Sequence, residues 1–140
     1  MSSYQVVLLL GSNLGNKIHN IEHAIIEIEK QAGKVIKKSK ILKSEPVEFV
    51  SNGIFCNIAI ILETVLSPYI LLTVLKKIER DLGRIHDSKA LGKYEDRLID
   101  IDIVLYGGIR FYSKKLEIPH EKHLYRRVFS RELLDEILMT

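Results

Sequence analysis

Two kinds of periodicity alternate along this chain in a fixed order, and that order limits the folds open to it more than any single residue does. Tyr4 to Leu10 reads YQVVLLL, a short continuous apolar run ended by GSN, which predicts a strand buried on both faces. From Lys17 to Gln31 the period changes: Ile18, Ile21, Ile25, Ile28 and Ala32 recur at helical spacing, and Gly33 supplies the stop. Lys34 to Leu42 alternates weakly as a second strand, and Phe55 to Leu62, FCNIAIIL, is a third. Between them KSEPVEFVSNG is a polar loop carrying Pro46. Ser67 as N-cap and Pro68 at the first helical position open a second helix that runs to Leu82 and stops at Gly83. Arg84 to Leu98 has no sustained period, and a structureless connection of that length is usually functional or disordered. Arg97 to Gly107, RLIDIDIVLYG, is the fourth strand; a Gly107-Gly108 turn, a short hairpin return through IRFY and a helical RELLDEIL complete the chain.

Strand, helix, strand, strand, helix, strand is the order of a split βαβ, or ferredoxin-like, α+β core. It has an antiparallel sheet, both helices packed on one face, and here two long loops at its margin. The first and fourth strands are expected to be central neighbours, which would place the fourth near the middle of the sheet. With 140 residues, 46% of them hydrophobic, residues 1–140 are expected to form a single domain.

The fourth strand contains a contradiction. Its β-branched Ile99, Ile101, Ile103 and Val104 ask for burial, yet Asp100 and Asp102 interrupt them, and Asp is depleted in strands. Residues two apart on a strand share a face about 6.5–7 Å apart, so both carboxylates look the same way. Burying them without a counter-charge would cost several kcal/mol per ion, so a cation must be near. One reading has them on an exposed sheet face neutralised by Arg97 or a lysine. The other is a Mg²⁺ site: Mg²⁺ takes oxygen ligands, typically one or two carboxylates plus substrate phosphates. Two carboxylates on one strand face can bridge a metal pair about 3.5–4 Å apart, the spacing used in phosphoryl chemistry. Arg84, Lys89, Lys93 and Arg97 flank the pair; singly each is an ordinary surface charge, but together they resemble a polyphosphate clamp.

Other patterns carry less. GSNLGNK, Gly11 to Lys17, lacks the Walker spacing and reads as a tight turn capping the first helix. His19, Glu22 and His23 match HxxEH, but both histidines fall opposite the Ile18, Ile21, Ile25 face and would meet water, not a buried zinc cleft. His120 and His123 lack further metal ligands, and a histidine beside Arg126 and Arg127 suits a phosphate contact as well. Phe55 and Asn57 share a strand face, either as core Phe and capping Asn or as a stacking surface and amide edge for a planar heterocycle. Cys56 is the only cysteine, so no internal disulfide forms; it reads as a buried small hydrophobe. A net charge of +3 does not argue for nucleic acid or membrane, whereas a small anionic ligand fits. The N-terminal apolar run has no cationic segment before it and is too short for a signal peptide or a span, so a cytoplasmic protein is expected.

Taken in order, GSNLGN, SEPVEF followed by F-x-N, IERDLGR, DRLIDIDIVLYG, and IPH followed by RR resemble the 6-hydroxymethyl-7,8-dihydropterin pyrophosphokinase family of the folate pathway. The resemblance spans most of the chain. It implies transfer of the terminal diphosphate of ATP to the primary alcohol of the pterin, leaving AMP, by a cytoplasmic monomer that binds neither nucleic acid nor membrane. By the same resemblance Asp100 and Asp102 would hold two Mg²⁺ ions, and Arg84 and Arg97 would compensate charge developing between the α and β phosphates. Lys93, Lys115, His120 and Arg126 would contact ATP, with the backbone around Ile103 meeting the adenine. Ser44, Pro46 and Val47 would border the pterin, Asn57 read its edge and Phe55 stack on one ring face. Against the family's pattern the Arg84 to Arg97 loop is longer, His86 stands where a second arginine is frequent, and Lys93-Tyr94 stands for Arg-Trp. Val128 replaces a second stacking aromatic.

The chemistry of the residues points the same way, since diphosphate transfer needs positioning and charge neutralisation more than a reactive side chain. Two rival readings fit less well. An RNA-binding module of the RRM type shares the element order but needs stacking aromatics on its first and third strands, where this chain has YQVVLLL and FCNIAIIL. A small-ligand regulatory domain would not need the aspartate pair.

Overall fold

The computed structural model describes residues 2–44, 55–84, 98–120 and 128–138. Strand β1 (Tyr4–Ser12) pairs antiparallel on one side with β4 (Phe55–Thr64) and on the other with β5 (Asp100–Tyr106). Strands β2 (Lys34–Lys38) and β3 (Leu42–Ser44) both pair with the far side of β4, so the sheet runs β2-β4-β1-β5 with β3 beside β4. Helices α1 (Lys17–Gln31) and α2 (Pro68–Arg84) cover one face, and α3 (Val128–Leu138) the other. The α+β split βαβ arrangement is therefore the expected one, with both core helices on one face.

Alternation decides the two faces. Val6, Leu8 and Leu10 of β1, with Ile58, Ile60, Ile101 and Ile103, point at Ile21, Ala24, Ile25 and Ile28 of α1 and Leu71, Leu75, Ile78 and Leu82 of α2. Each fully buried aliphatic side chain contributes about 1.5–3 kcal/mol, so this layer is the main source of stability. The intervening residues Val7, Leu9, Ala59 and Val104 meet Leu133, Leu134 and Ile137 of α3. The amide of Lys40 donates to Glu136 Oε2 (2.6 Å), and Lys37 Nζ to the Ile137 carbonyl (3.0 Å), fastening α3 over the β2-β3 side.

Several expectations need correction. The aspartate strand is not in the middle: among the described residues β5 has β1 on one side and no further strand of that sheet on the other. Strand order is set by long-range pairing that local periodicity does not encode. The segment Lys34 to Leu42 is not one strand, because Ser39 leaves the ladder and bonds Ala59 with both its amide (to the carbonyl, 2.9 Å) and its hydroxyl (from the amide, 2.9 Å). The return through IRFY does not pair with β5; β6 (Phe111–Tyr112) pairs with β7 (Glu117–Ile118) as a separate ribbon. Helix α2 passes through Gly83 to Arg84, so that glycine does not end it. Ile18, placed by spacing on the buried face of α1, is 45% exposed and borders a surface cleft with Lys43 and Cys56.

Candidate functional site

Rows of residues facing one another across β3, β4, β1 and β5 share a side of the sheet, and two such rows carry the expected residues. The first is Leu42, Asn57, Gly11 and Asp100; the second is Ala59, Leu9 and Asp102. Two residues before Asn57, Phe55 faces Ser44 on β3. Directly opposed residues in an antiparallel pair lie about 4.5–5.5 Å apart at Cα, so Asn57, Gly11 and Asp100 form a short polar line across the sheet. All of these lie on the α3 side, where Val7, Leu9 and Val104 pack under that helix. Asn57 is buried, whereas Asp100, Asp102 and Phe55 keep partial access to solvent.

Gly11 is what keeps the line level. A Cβ there would lie 2.8 Å from Asn57 Oδ1, so any other residue would push the amide out of place, while at 3.7 Å from Phe55 Cδ1 it would merely touch the ring. Sequence reasoning assigned Gly11 to the turn; the structure puts it in β1, between the amide and the carboxylate.

Two polar side chains, the buried Asn20 and the mostly buried Glu79, neither singled out from the sequence, fix the ends of β1 and β5. Asn20 on α1 donates Nδ2 to Ser12 Oγ (3.1 Å), the Leu14 carbonyl (2.8 Å) and the Leu98 carbonyl (3.4 Å). It ties the GSNLGN turn to the entry of the aspartate strand, and Asn16 caps the helix by accepting from the His19 amide. From α2, Glu79 Oε2 accepts from the Ile101 amide at 2.6 Å while Lys76 lies 3.3 Å from Oε1. Burial pushes the Glu79 carboxyl above its ordinary pKa; the Ile101 N–H and the Lys76 ammonium pull it back, and the negative charge of Asp102 adds to the rise. Both signals were visible, since Asn20 shares the stripe of Ala24 and Ile28, and Glu79 sits four residues after Leu75.

The outer edge of β5 has a second partner. The register with β1 shifts between Val7 and Leu8, leaving Val104 out of the ladder, and its carbonyl accepts from the His120 amide (2.9 Å). His120, which follows the cis Ile118-Pro119 bond, is thereby held two residues from Asp102 along the strand, with Nδ1 turned away from solvent. Ile103 keeps its side chain in the core, so only its backbone is available to a ligand, at that same edge. Lys115 stands on the exposed turn between β6 and β7.

The structure thus brings Phe55, Asn57, Asp100 and Asp102 to one face, with Ser44 at its border and Ile103 and His120 on the adjoining edge. Arg84 ends α2, with only its backbone described. Pro46, Val47, Lys93, Arg97 and Arg126 lie outside the described residues, as do His86, Tyr94 and His123. The HxxEH pattern builds no zinc site: His19 is exposed and His23 half-exposed on α1, and no group of three or more His, Cys, Asp and Glu gathers for a metal among the described residues. The donor set on β5, two half-buried carboxylates offering hard oxygens on one face, fits Mg²⁺ completed by phosphate and water.

Comparison with known proteins bears on this arrangement. A family model described as 7,8-dihydro-6-hydroxymethylpterin-pyrophosphokinase (HPPK) matches residues 7–138. The chain is 38% identical over 137 residues to the mitochondrial folate synthesis bifunctional protein of Arabidopsis thaliana, covering 98% of this chain and 24% of that protein. Over 133 residues it is 35% identical to the 2-amino-4-hydroxy-6-hydroxymethyldihydropteridine pyrophosphokinase of Porphyromonas gingivalis, covering 94% of this chain and 89% of that protein. It therefore spans about a quarter of the length of its plant relatives. The backbone resembles the crystal structure of wild-type Plasmodium falciparum HPPK-DHPS with pteroate, with a TM-score of 0.75 at 18% identity, over 97% of this chain and 41% of that one. That likeness concerns the fold.

Proposed function

The chain belongs to the 7,8-dihydro-6-hydroxymethylpterin-pyrophosphokinase family, and from that premise we propose that it transfers the terminal diphosphate of ATP to the hydroxymethyl group of 6-hydroxymethyl-7,8-dihydropterin. The alcohol oxygen forms a bond to the β phosphorus, the bond from that phosphorus to the α-phosphate oxygen breaks, AMP departs and the alcohol proton passes to solvent. The observation that supports this most is the shared face of Phe55, Asn57, Asp100 and Asp102, which offers a ring surface, an amide edge and an anionic pair on one side of the sheet.

Asp100 and Asp102 would hold two Mg²⁺ ions. Bound there, the ions supply charge neutralisation for the phosphates and lower the pKa of the attacking alcohol. The chain's own residues do the rest by orientation. Phe55 stacks on the pterin, Asn57 donates and accepts at its edge, and Ser44, Pro46 and Val47 border it with backbone groups. Arg84 and Arg97 extend forked donors to the phosphates, where negative charge shifts during transfer. Lys93, Lys115, His120 and Arg126 hold the triphosphate, and the Ile103 backbone meets the adenine. Residues 45–54 and 85–97, outside the described residues, carry four of these ligands, Pro46, Val47, Lys93 and Arg97.

Residues 1–140 act in this reading as one catalytic domain, proposed to work as a monomer. The described residues include no helix long and apolar enough to cross a membrane; the protein is proposed to be cytoplasmic, with ATP and the pterin, and no nucleic acid or membrane, as its partners. The test is the nucleotide product. Incubation with ATP, Mg²⁺ and the reduced pterin, followed by ³¹P NMR, is expected to give AMP and the pterin diphosphate in equal amounts; ADP as the product would overturn the assignment.

A further inference from the structure

Strand β5 is an edge, and an edge strand that carries two metal-binding carboxylates has a problem that a central one lacks. Among the described residues its outward amide groups have no neighbouring strand to fix them, while both carboxylates must keep the same pleat to face the same way. Ile101 lies between them in sequence, and its amide points outward, where Glu79 Oε2 accepts it at 2.6 Å. A carboxylate acceptor makes a shorter and stronger bond than a carbonyl, and the second oxygen is steadied by Lys76 at 3.3 Å. Glu79 comes from α2, on the other side of the sheet from Asp100 and Asp102, so it acts on their backbone from behind.

We infer that Glu79 is a positioning residue for the reaction: by bonding the outward Ile101 amide it acts as a strand partner would and holds Asp100 and Asp102 at one pleat for metal-bound ATP. This inference rests on the function proposed above. A glutamine oxygen would accept the same amide from the same place with less desolvation, in a somewhat weaker bond. The bond, not the charge, is the working part, so a glutamine should largely replace it.

The experiment compares Glu79→Ala and Glu79→Gln with the wild type. Three readouts are used: amide hydrogen exchange at Ile101, Mn²⁺ binding in the presence of α,β-methylene-ATP followed by electron paramagnetic resonance, and steady-state kinetics of AMP formation. Glu79→Ala is expected to speed Ile101 exchange about tenfold or more while β1 and β4 amides stay protected, and to weaken Mn²⁺ binding and kcat about tenfold. The KM for the pterin should change less than about threefold, because Phe55 and Asn57 are carried by β4. Glu79→Gln should stay within about threefold of wild type in all three. The inference is overturned if Mn²⁺ affinity stays at the wild-type level in Glu79→Ala despite fast Ile101 exchange, if pterin KM rises in step with the loss of kcat, or if Glu79→Gln is as impaired as Glu79→Ala. Should the wild type form no AMP, the function proposed above fails, and Ile101 exchange with Mn²⁺ affinity still decides the role of Glu79.

Discussion

The two faces of the sheet, taken at the same strand positions, could hardly differ more. On the α1-α2 side Leu10 faces Ile58 and Ile101, every one of them buried in the main core. One residue along the strands, on the α3 side, Gly11 faces Asn57 and Asp100. The same three strands therefore build a sealed hydrophobic layer and a polar line back to back. Since a register slip of one residue would exchange the two faces, the apolar side fixes the polar side. Stability and chemistry are carried by alternate residues of one set of strands, which lets them be varied separately.

The largest expected effect comes from the polar face. Asp100→Asn or Asp102→Asn should lower Mg²⁺-dependent AMP formation by about a thousandfold while leaving thermal unfolding cooperative and close to wild type. Activity near wild type in both variants would remove the metal assignment. On the opposite face, Ile101→Ala should cost about 2–5 kcal/mol of stability in urea unfolding, because its side chain is 1% exposed beneath the helices. A smaller loss would mean that the face is less tightly sealed than the register implies. Gly11→Ala is intermediate. Its Cβ, 2.8 Å from Asn57 Oδ1, should raise the KM for the pterin about ten- to hundredfold with little change in ATP affinity. Smallest of all, Ile18→Ser should alter stability by less than about 0.5 kcal/mol, whereas Ile21→Ala, three residues on and fully buried, should lose about 2–5 kcal/mol.

That last pair shows where sequence reading succeeds and where it stops. The span of α1 was legible to the residue at both ends, because Ile21, Ile25 and Ile28 repeat at helical spacing and Gly33 follows. Periodicity does not say how far the sheet extends beneath the first turn, so Ile18 was misplaced. The strand character of residues 100–106 and the common direction of Asp100 and Asp102 followed from alternation alone. That β5 lies at the edge did not, because strand order depends on contacts between distant segments. The divided β2-β3 segment escaped notice because the Ser39 hydroxyl takes over a ladder bond, which alternation cannot reveal. Of the site, Phe55, Asn57 and the aspartates were found from the strands that carry them. Gly11, Asn20 and Glu79 were not: Asn20 and Glu79 stand on the apolar stripes of their helices, which marks them as inward-facing, but what they and Gly11 meet depends on distant segments.

The proposed reaction depends above all on divalent ions with nucleotide phosphates lying in front of the acidic pair on β5. A crystal structure grown with Mg²⁺ and α,β-methylene-ATP tests this most directly. The expected result is two ions, each within coordination distance of Asp100 or Asp102 and of phosphate oxygens, on the face shared with Asn57. Carboxylates without ions, paired instead with lysine or arginine side chains while the nucleotide binds elsewhere, would contradict it.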